Sequence, residues 1–511
     1  MNNRQWGEIY PPREEFLELG ATRRVVPVAM KVLVDDASPV SLYRTLALSQ
    51  PGTFMLESAE RDGWSRWSFI GVAARAWMVT RDGVSRWYGD VPEGITREGS
   101  TLELLQSALD VLSSEPIADL PPLTGGLVGT IGWDVLYEWN PELRREAVKE
   151  YQTPEAVLTL VDDLVAVDHK DNCVWLIANA INRNGTAAGI EEAWADALSR
   201  IEAMRQQLNT AQTIHPAVVD GDASGPKPQW RVTKEEFARA IEQTVHYINA
   251  GEATQVVIAQ RADVECPADP VDVYRVLRSI NPSPYMFYVV LPDDHEGSFT
   301  LVGSSPETLL RVKDRQVMTF PIGGTRPRPA DPRQDAAVIA DLQADPKEVH
   351  EHELLVELSE HDLGLICDPA TIEVVDRRAI KVLSHVIHLT STVTGTLRED
   401  VTIPQALQAT FPAGTLSGAP KERAIEMIDE LEPALRGIFG GVTGYFDFSG
   451  NTDLAITIRT AIITGNHAQV QAGAGVVAQS HADYEYNETQ NKAGAVLKAI
   501  ELAARLSGPA S

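Results

Sequence analysis

Two short acidic runs carry the first sign of chemistry. Glu348 and Glu351 stand three residues apart in Asp345-Pro-Lys-Glu-Val-His-Glu, and Glu485 and Glu488 repeat that spacing in Asp483-Tyr-Glu-Tyr-Asn-Glu. On helices each pair shares a face. Four carboxylates on two helix starts offer an oxygen-lined site for a hard cation, above all Mg²⁺, which takes one or two carboxylates and leaves room for water and substrate. Two solvated helix starts, favoured by the helix dipole, would look the same. A zinc-protease pattern is absent, because His352-Glu-Leu-Leu-Val lacks a histidine four residues on. Arg459, in the apolar run Ile-Thr-Ile-Arg-Thr, needs a partner, which a ligand carboxylate or a structural acid would supply. Glu307 in Gly-Ser-Ser-Pro-Glu and His388 in Val-Ile-His-Leu are single titratable residues, open to a structural or a catalytic use.

Glycine marks two further places. Phe411 to Lys421, Phe-Pro-Ala-Gly-Thr-Leu-Ser-Gly-Ala-Pro-Lys, is a tight loop running into a helix. Pro420 suits the first helical position, and Ala424, Ile425, Ile428 and Leu431 recur at helical spacing, so a packed helix points its free N–H groups at the loop as a seat for an anion. The glycine order is not that of a nucleotide P-loop. Gln471-Ala-Gly473-Ala-Gly475-Val-Val is no dinucleotide fingerprint either, since no helix opens at its glycines; they let a ligand approach the backbone.

The elements that must position these residues fall into two parts. Residues 1–220 read as β-rich, with strands near Gly52–Ser58, Trp64–Gly71 and Ala76–Thr80, a glycine-spaced strand from Gly125, and two strands over 156–181. Residues 221–228 are polar and rich in breakers, which predicts a linker. From 229 to 511 the pattern predicts a helix opened by the Thr233–Glu236 capping box, a strand at Gln255, helices over about 332–366, strands at 441–447, 453–464 and 467–478, and a long helix from about 482 to 506. A chain of 511 residues can bury a sizeable site. Its net charge of −28 argues against nucleic acid or anionic membrane as partner. Cys173, Cys266 and Cys367 lie far apart without paired spacing, and no apolar leader or membrane span is visible, so a reducing cytoplasm is expected.

Together the motifs resemble the chorismate-utilising enzymes, most closely their anthranilate synthase component I branch. Met55-Leu-Glu-Ser58, Trp67-Ser-Phe-Ile-Gly, Asn281-Pro-Ser-Pro-Tyr-Met-Phe287, Pro321-Ile-Gly-Gly-Thr-Arg326, Phe411–Lys421 and Gln471–Val477 carry the likeness in order along nearly the whole chain. The resemblance implies an α+β body of two large antiparallel sheets packed face to face with helices outside, the first part regulatory and the second catalytic. It implies amination of chorismate at C2, loss of the C4 hydroxyl and elimination of pyruvate to give anthranilate. Mg²⁺ would sit on Glu351 and Glu488, with Glu348 and Glu485 behind through water. Glu307 would be the general acid and His388 would assist proton handling in the second step. Gly324, Thr325, Thr415, Tyr445, Arg459, Gly473, Ala474, Gly475 and Lys492 would hold the substrate. Glu57, Ser58, Pro284, Tyr285 and Met286 would bind tryptophan as feedback inhibitor.

Within that family the nucleophile follows from two positions. Relatives that add water have a lysine where this chain has Gln255, and relatives that aminate C4 through a lysine have it where this chain has Gly323. Ammonia is the nucleophile left. None of the three cysteines lies in a glutaminase turn, so a separate glutamine amidotransferase subunit, component II, is the expected partner in a hetero-oligomer. Departures cluster beside the first acid pair: Glu360 and His361 replace Arg-Asn, and Val382-Leu383 replace Arg-Tyr. They bear on pyruvate elimination, so an enzyme that stops at 2-amino-2-deoxyisochorismate is the second reading and a catalytically weak, tryptophan-responsive partner of a glutaminase the third.

Overall fold

Long strands with no polar face have to be covered on both sides, and Ala156–Asp168 and Cys173–Ile181 are buried from end to end. They form the middle of an antiparallel system in which Ala156–Asp168 also pairs with the fifteen-residue strand Trp67–Arg81. The computed structural model describes residues 5–34, 38–58, 66–143, 147–209, 216–221, 223–294, 297–329, 331–382 and 386–507. Among these, 22 strands are hydrogen-bonded into one continuous sheet that curls over itself, with the larger helices outside it. The fold is α+β, and the two expected sheets are joined through their edges.

The expected division at 221–228 does not separate two cores. Phe54–Glu57 pairs with Tyr285–Pro292, and Gly126–Ile131 pairs with Val442–Asp447, so strands from both parts alternate in one sheet. The largest apolar cluster likewise mixes Leu104, Leu127 and Trp133 with Val256, Leu310 and Ile428. A breaker-rich stretch predicts a chain that leaves its element; it carries no information on where the flanking strands pair.

Local signals place the helices well. Thr233 caps Lys234–Asn249 through a complete capping box, and Asp345 accepts from the Lys347 and Glu348 amides to open Pro346–Ile366. The last long helix runs Ala482–Ala503 and lies on the strand His467–Val476. Two expectations shift. Helix Lys421–Leu431 starts one residue after Pro420, which stands at the N-cap, while Gly418–Ala419 bridges to Gln255–Val256 as a short strand. The strand expected over 453–464 is two strands, Thr452–Ile456 and Thr460–Thr464. Between them Arg459 takes a left-handed conformation, φ 52°. That costs an ordinary residue roughly 1–2 kcal/mol, and it turns the side chain out of the strand's alternation.

Candidate active site

Helix Pro346–Ile366 packs on the strand Ile322–Pro327 through Gly323 and Gly324. A Cβ at Gly323 would stand 3.2 Å from the His352 Cα, and Gly324 has φ 61°. The helix start is thereby fixed beside the strand Val386–Thr390, whose His388 is the register partner of Thr325. The Thr325 side chain and Leu383 lie outside the described residues. Helix Ala482–Ala503 arrives from the other side, and the two acid pairs come within electrostatic range of one another. The pKa of Glu351 is raised by burial and by Glu348 and Glu488, with Lys347 opposing at 3.5 Å. Glu485 is pushed up to about 6 by burial and by Glu488, and its Oε2 is buried with no hydrogen-bond partner.

Such mutual repulsion calls for a counter-charge. Lys492 meets Glu488 at 2.6 Å, and Arg326 meets Glu348 at 2.9 Å. Among the described residues no three potential ligands close on one point. The set can therefore offer a hard cation one or two direct carboxylates, with Glu485 Oε2 unpartnered behind them, and this all-oxygen donor set fits Mg²⁺ rather than a softer metal.

Lys492 joins the acids to the remaining residues. Its ammonium also donates to Gly473 O at 2.9 Å, and its own carbonyl accepts from Arg459 Nη1 at 2.8 Å. Arg459 is partly buried, and burial pulls its pKa down while Glu488 opposes this. Burial and the nearby Lys381 and Arg459 lower the pKa of His388, so its ring is neutral, and the Gly324 backbone opposes the shift. On the floor, a Cβ at Gly475 would lie 2.8 Å from Gln255 Nε2, and one at Gly473 2.8 Å from Val257 Cγ1. The glycines thus serve close strand packing as well as open backbone, and Ala474 is fully buried in the core beneath.

Glu307 faces this group from the turn between two strands. Burial pushes its carboxyl up to about 7, against the pull of Thr415, whose Oγ1 donates to Oε1 at 2.7 Å, and of the Lys492 charge. A small cavity of about 50 Å³ beside it is also lined by Asp362, whose pKa is raised by burial against a 3.5 Å contact with Lys421. A carboxylic acid that keeps its proton near neutrality can protonate a leaving oxygen.

A second, larger cavity of about 1080 Å³ is lined by Glu57, Ser58, Pro284, Tyr285 and Met286 together. Arg459 is not among the residues lining this cavity, whereas Tyr445 is. Its neighbours are Asp453 and Arg311, and Tyr285 donates to Asp453 at 2.8 Å. Tyr445 lies on the strand Val442–Asp447, and the strand break before Arg459 is one that no alternation in the sequence announces. Glu57 accepts from Tyr274 at 2.6 Å and from both Arg278 nitrogens at 2.9 Å. Ser391, on the cavity wall, hydrogen-bonds at 2.7 Å to His352, the neighbour of Glu351. Asp453, Arg311 and Ser391 were missed because single polar residues in strands carry no local signature. The pair Glu432 and Arg436, four apart amid apolar residues, was a readable signal.

Comparison with known proteins identifies the family and the fold. The family model of chorismate binding enzymes matches residues 52–498. The anthranilate synthase component 1 of Mycolicibacterium smegmatis is 48% identical over 97% of this chain and 95% of its own. The crystal structure of anthranilate synthase component I from Streptococcus pneumoniae TIGR4 superposes with a TM-score of 0.73 at 31% identity, covering 84% of this chain and 92% of that one. The menaquinone-specific isochorismate synthase MenF of Escherichia coli shares the fold, with a TM-score of 0.68 at 19% identity over 94% of this chain and 95% of that one.

Proposed function

Since the chain belongs to the chorismate-binding enzymes, in the branch of the anthranilate synthase component 1 proteins, we propose that it converts chorismate and ammonia to anthranilate and pyruvate. The observation that carries the reading is Glu307, a buried carboxyl shifted to about 7 that faces Lys492 and Thr415. It gives its proton to the C4 hydroxyl, which leaves as water while ammonia bonds to C2. Arg459 and Lys492 bind the substrate carboxylates, and the Gly473–Gly475 backbone closes the floor. Neutral His388 takes up a proton in the second step, in which pyruvate departs and the ring becomes aromatic.

Glu351 and Glu488 would hold Mg²⁺, with Glu348 and Glu485 behind them. The ion supplies charge neutralisation for the ring carboxylate and polarisation of the leaving hydroxyl. Neither Gln255 nor Gly323 can act as an amine base or nucleophile, so ammonia comes from outside, from a glutamine amidotransferase subunit in a hetero-oligomer. Three buried, unpaired cysteines suit a reducing cytoplasm. Tryptophan occupies the 1080 Å³ cavity as feedback inhibitor, its ammonium towards Glu57 or Asp453 and its ring against Met286, Tyr285 and Tyr445.

The test incubates purified protein with chorismate, Mg²⁺ and ammonium. Anthranilate fluorescence and pyruvate are expected together. A new ring product without pyruvate, or no product at all, refutes the proposal.

A further inference from the structure

Among the described residues Arg436 is the most deeply buried arginine or lysine, and its side-chain hydrogen bonds go to Glu432, Leu416 and Val257. Arg436 is 2% exposed, with its guanidinium carbon 4.3 Å from the centroid of the Trp133 ring. Nε and Nη2 donate to Glu432 at 3.0 and 2.6 Å, Nη1 donates to Leu416 O at 2.7 Å, and Nη2 donates to Val257 O at 2.8 Å. Glu432 in turn accepts from the Ala259 amide at 2.7 Å. A buried ion pair is weak support for a fold, since apolar residues of similar volume do as well. What this one holds is informative. Leu416 follows Thr415, and Val257 is the register partner of Gly475. The turn is closed by Leu416 and Ser417 amides donating to Ala413 O, and Ser417 O accepts from the Val257 amide at 2.9 Å. Next to the pinned Leu416 carbonyl, Thr415 Oγ1 donates to Glu307 Oε1 at 2.7 Å.

We propose that Arg436 is a positioning residue for the reaction: it clamps the Ala413–Ser417 turn to the substrate floor and so fixes the hydrogen bond from Thr415 to the acid Glu307. The clamp is closed by the helix Lys421–Leu431, which leaves the turn at one end and returns Glu432 and Arg436 to it from the other. The inference rests on Glu307 acting as the acid.

The Thr415 hydrogen bond lowers the pKa of Glu307, so losing it raises that pKa. R436K keeps the charge and loses the fork. It is compared with T415V and with the double variant by the pH dependence of kcat/KM, by kcat and KM for chorismate, and by thermal unfolding. R436K should lower kcat at least tenfold with a smaller change in KM, and should move the alkaline limb upward as T415V does. The double variant should move it no further than T415V alone. The paired replacement R436M/E432M, which leaves no lone buried charge, should fold and show the same displaced limb. A folded R436K or paired variant with the wild-type limb overturns the proposal, as does a double variant whose shift is the sum of the two. If neither variant folds, Arg436 is structural only and the proposal falls. Absence of activity in the wild-type protein would instead sink the functional reading itself.

Discussion

Replacing Glu307 with glutamine should make the protein inactive and, above neutral pH, more stable. Burial lifts this carboxyl from its ordinary 4.5 to about 7. A group that binds its proton more tightly when folded favours the native state fully below about pH 4.5 and loses that contribution as pH climbs to about 7. At about 1.4 kcal/mol per pKa unit, the charged carboxylate costs the native state roughly 3 kcal/mol above neutrality. Glutamine fills the same space and never ionises, so E307Q escapes this cost. Unfolding midpoints of the two proteins should coincide near pH 4.5, diverge up to about pH 7 with E307Q the higher, and run parallel beyond. Without a proton to give, kcat should fall by about 10²–10⁴. In the wild type, kcat/KM should decline above about pH 7 as the acid ionises. A stability difference that stays constant across this range, or an active E307Q, would refute the assignment.

Other perturbations have equally direct readouts. E351Q and E488Q should each raise the Mg²⁺ concentration needed for half-maximal activity by about tenfold or more, and chelation should abolish turnover reversibly; an enzyme indifferent to chelator removes the metal from the scheme. R459K keeps charge but gives up planar carboxylate recognition, so KM for chorismate should rise by roughly 10–100-fold, about 1.5–3 kcal/mol; an unchanged KM places the carboxylate elsewhere. E57Q should weaken tryptophan inhibition by about tenfold, the scale of one charge-assisted hydrogen bond; inhibition curves that superimpose on the wild type exclude the large cavity as the regulatory site.

Where a residue's role was set by its immediate neighbours in sequence, it was readable. Asp345 and Thr233 announce their helices through caps that need only three or four residues, and the Glu348/Glu351 and Glu485/Glu488 spacings predict shared faces. Opposition of the two acid pairs depends on strands pairing across hundreds of residues, which no local pattern encodes. The strand break at Arg459 was not legible for a related reason. Its flanks are apolar on both sides of a break, and a left-handed arginine leaves no compositional trace. Pro420 was one position off because proline is tolerated both at an N-cap and at the first helical residue. Glu307 could be named from the family likeness, but its raised pKa comes from the enclosure around it, against the pull of Thr415, and only the folded chain creates that enclosure.

The alternation of early and late strands also governs how the molecule can be made. Thr130 waits for Thr443, 313 positions downstream, before its neighbour exists. Until then a growing chain on the ribosome carries the open edges of Phe54–Glu57 and Gly126–Ile131, both apolar and ready to join any passing strand. Such long-range closure is slow, so these edges stay unpaired through most of synthesis, and residues 1–220 expressed alone should aggregate instead of yielding a regulatory module.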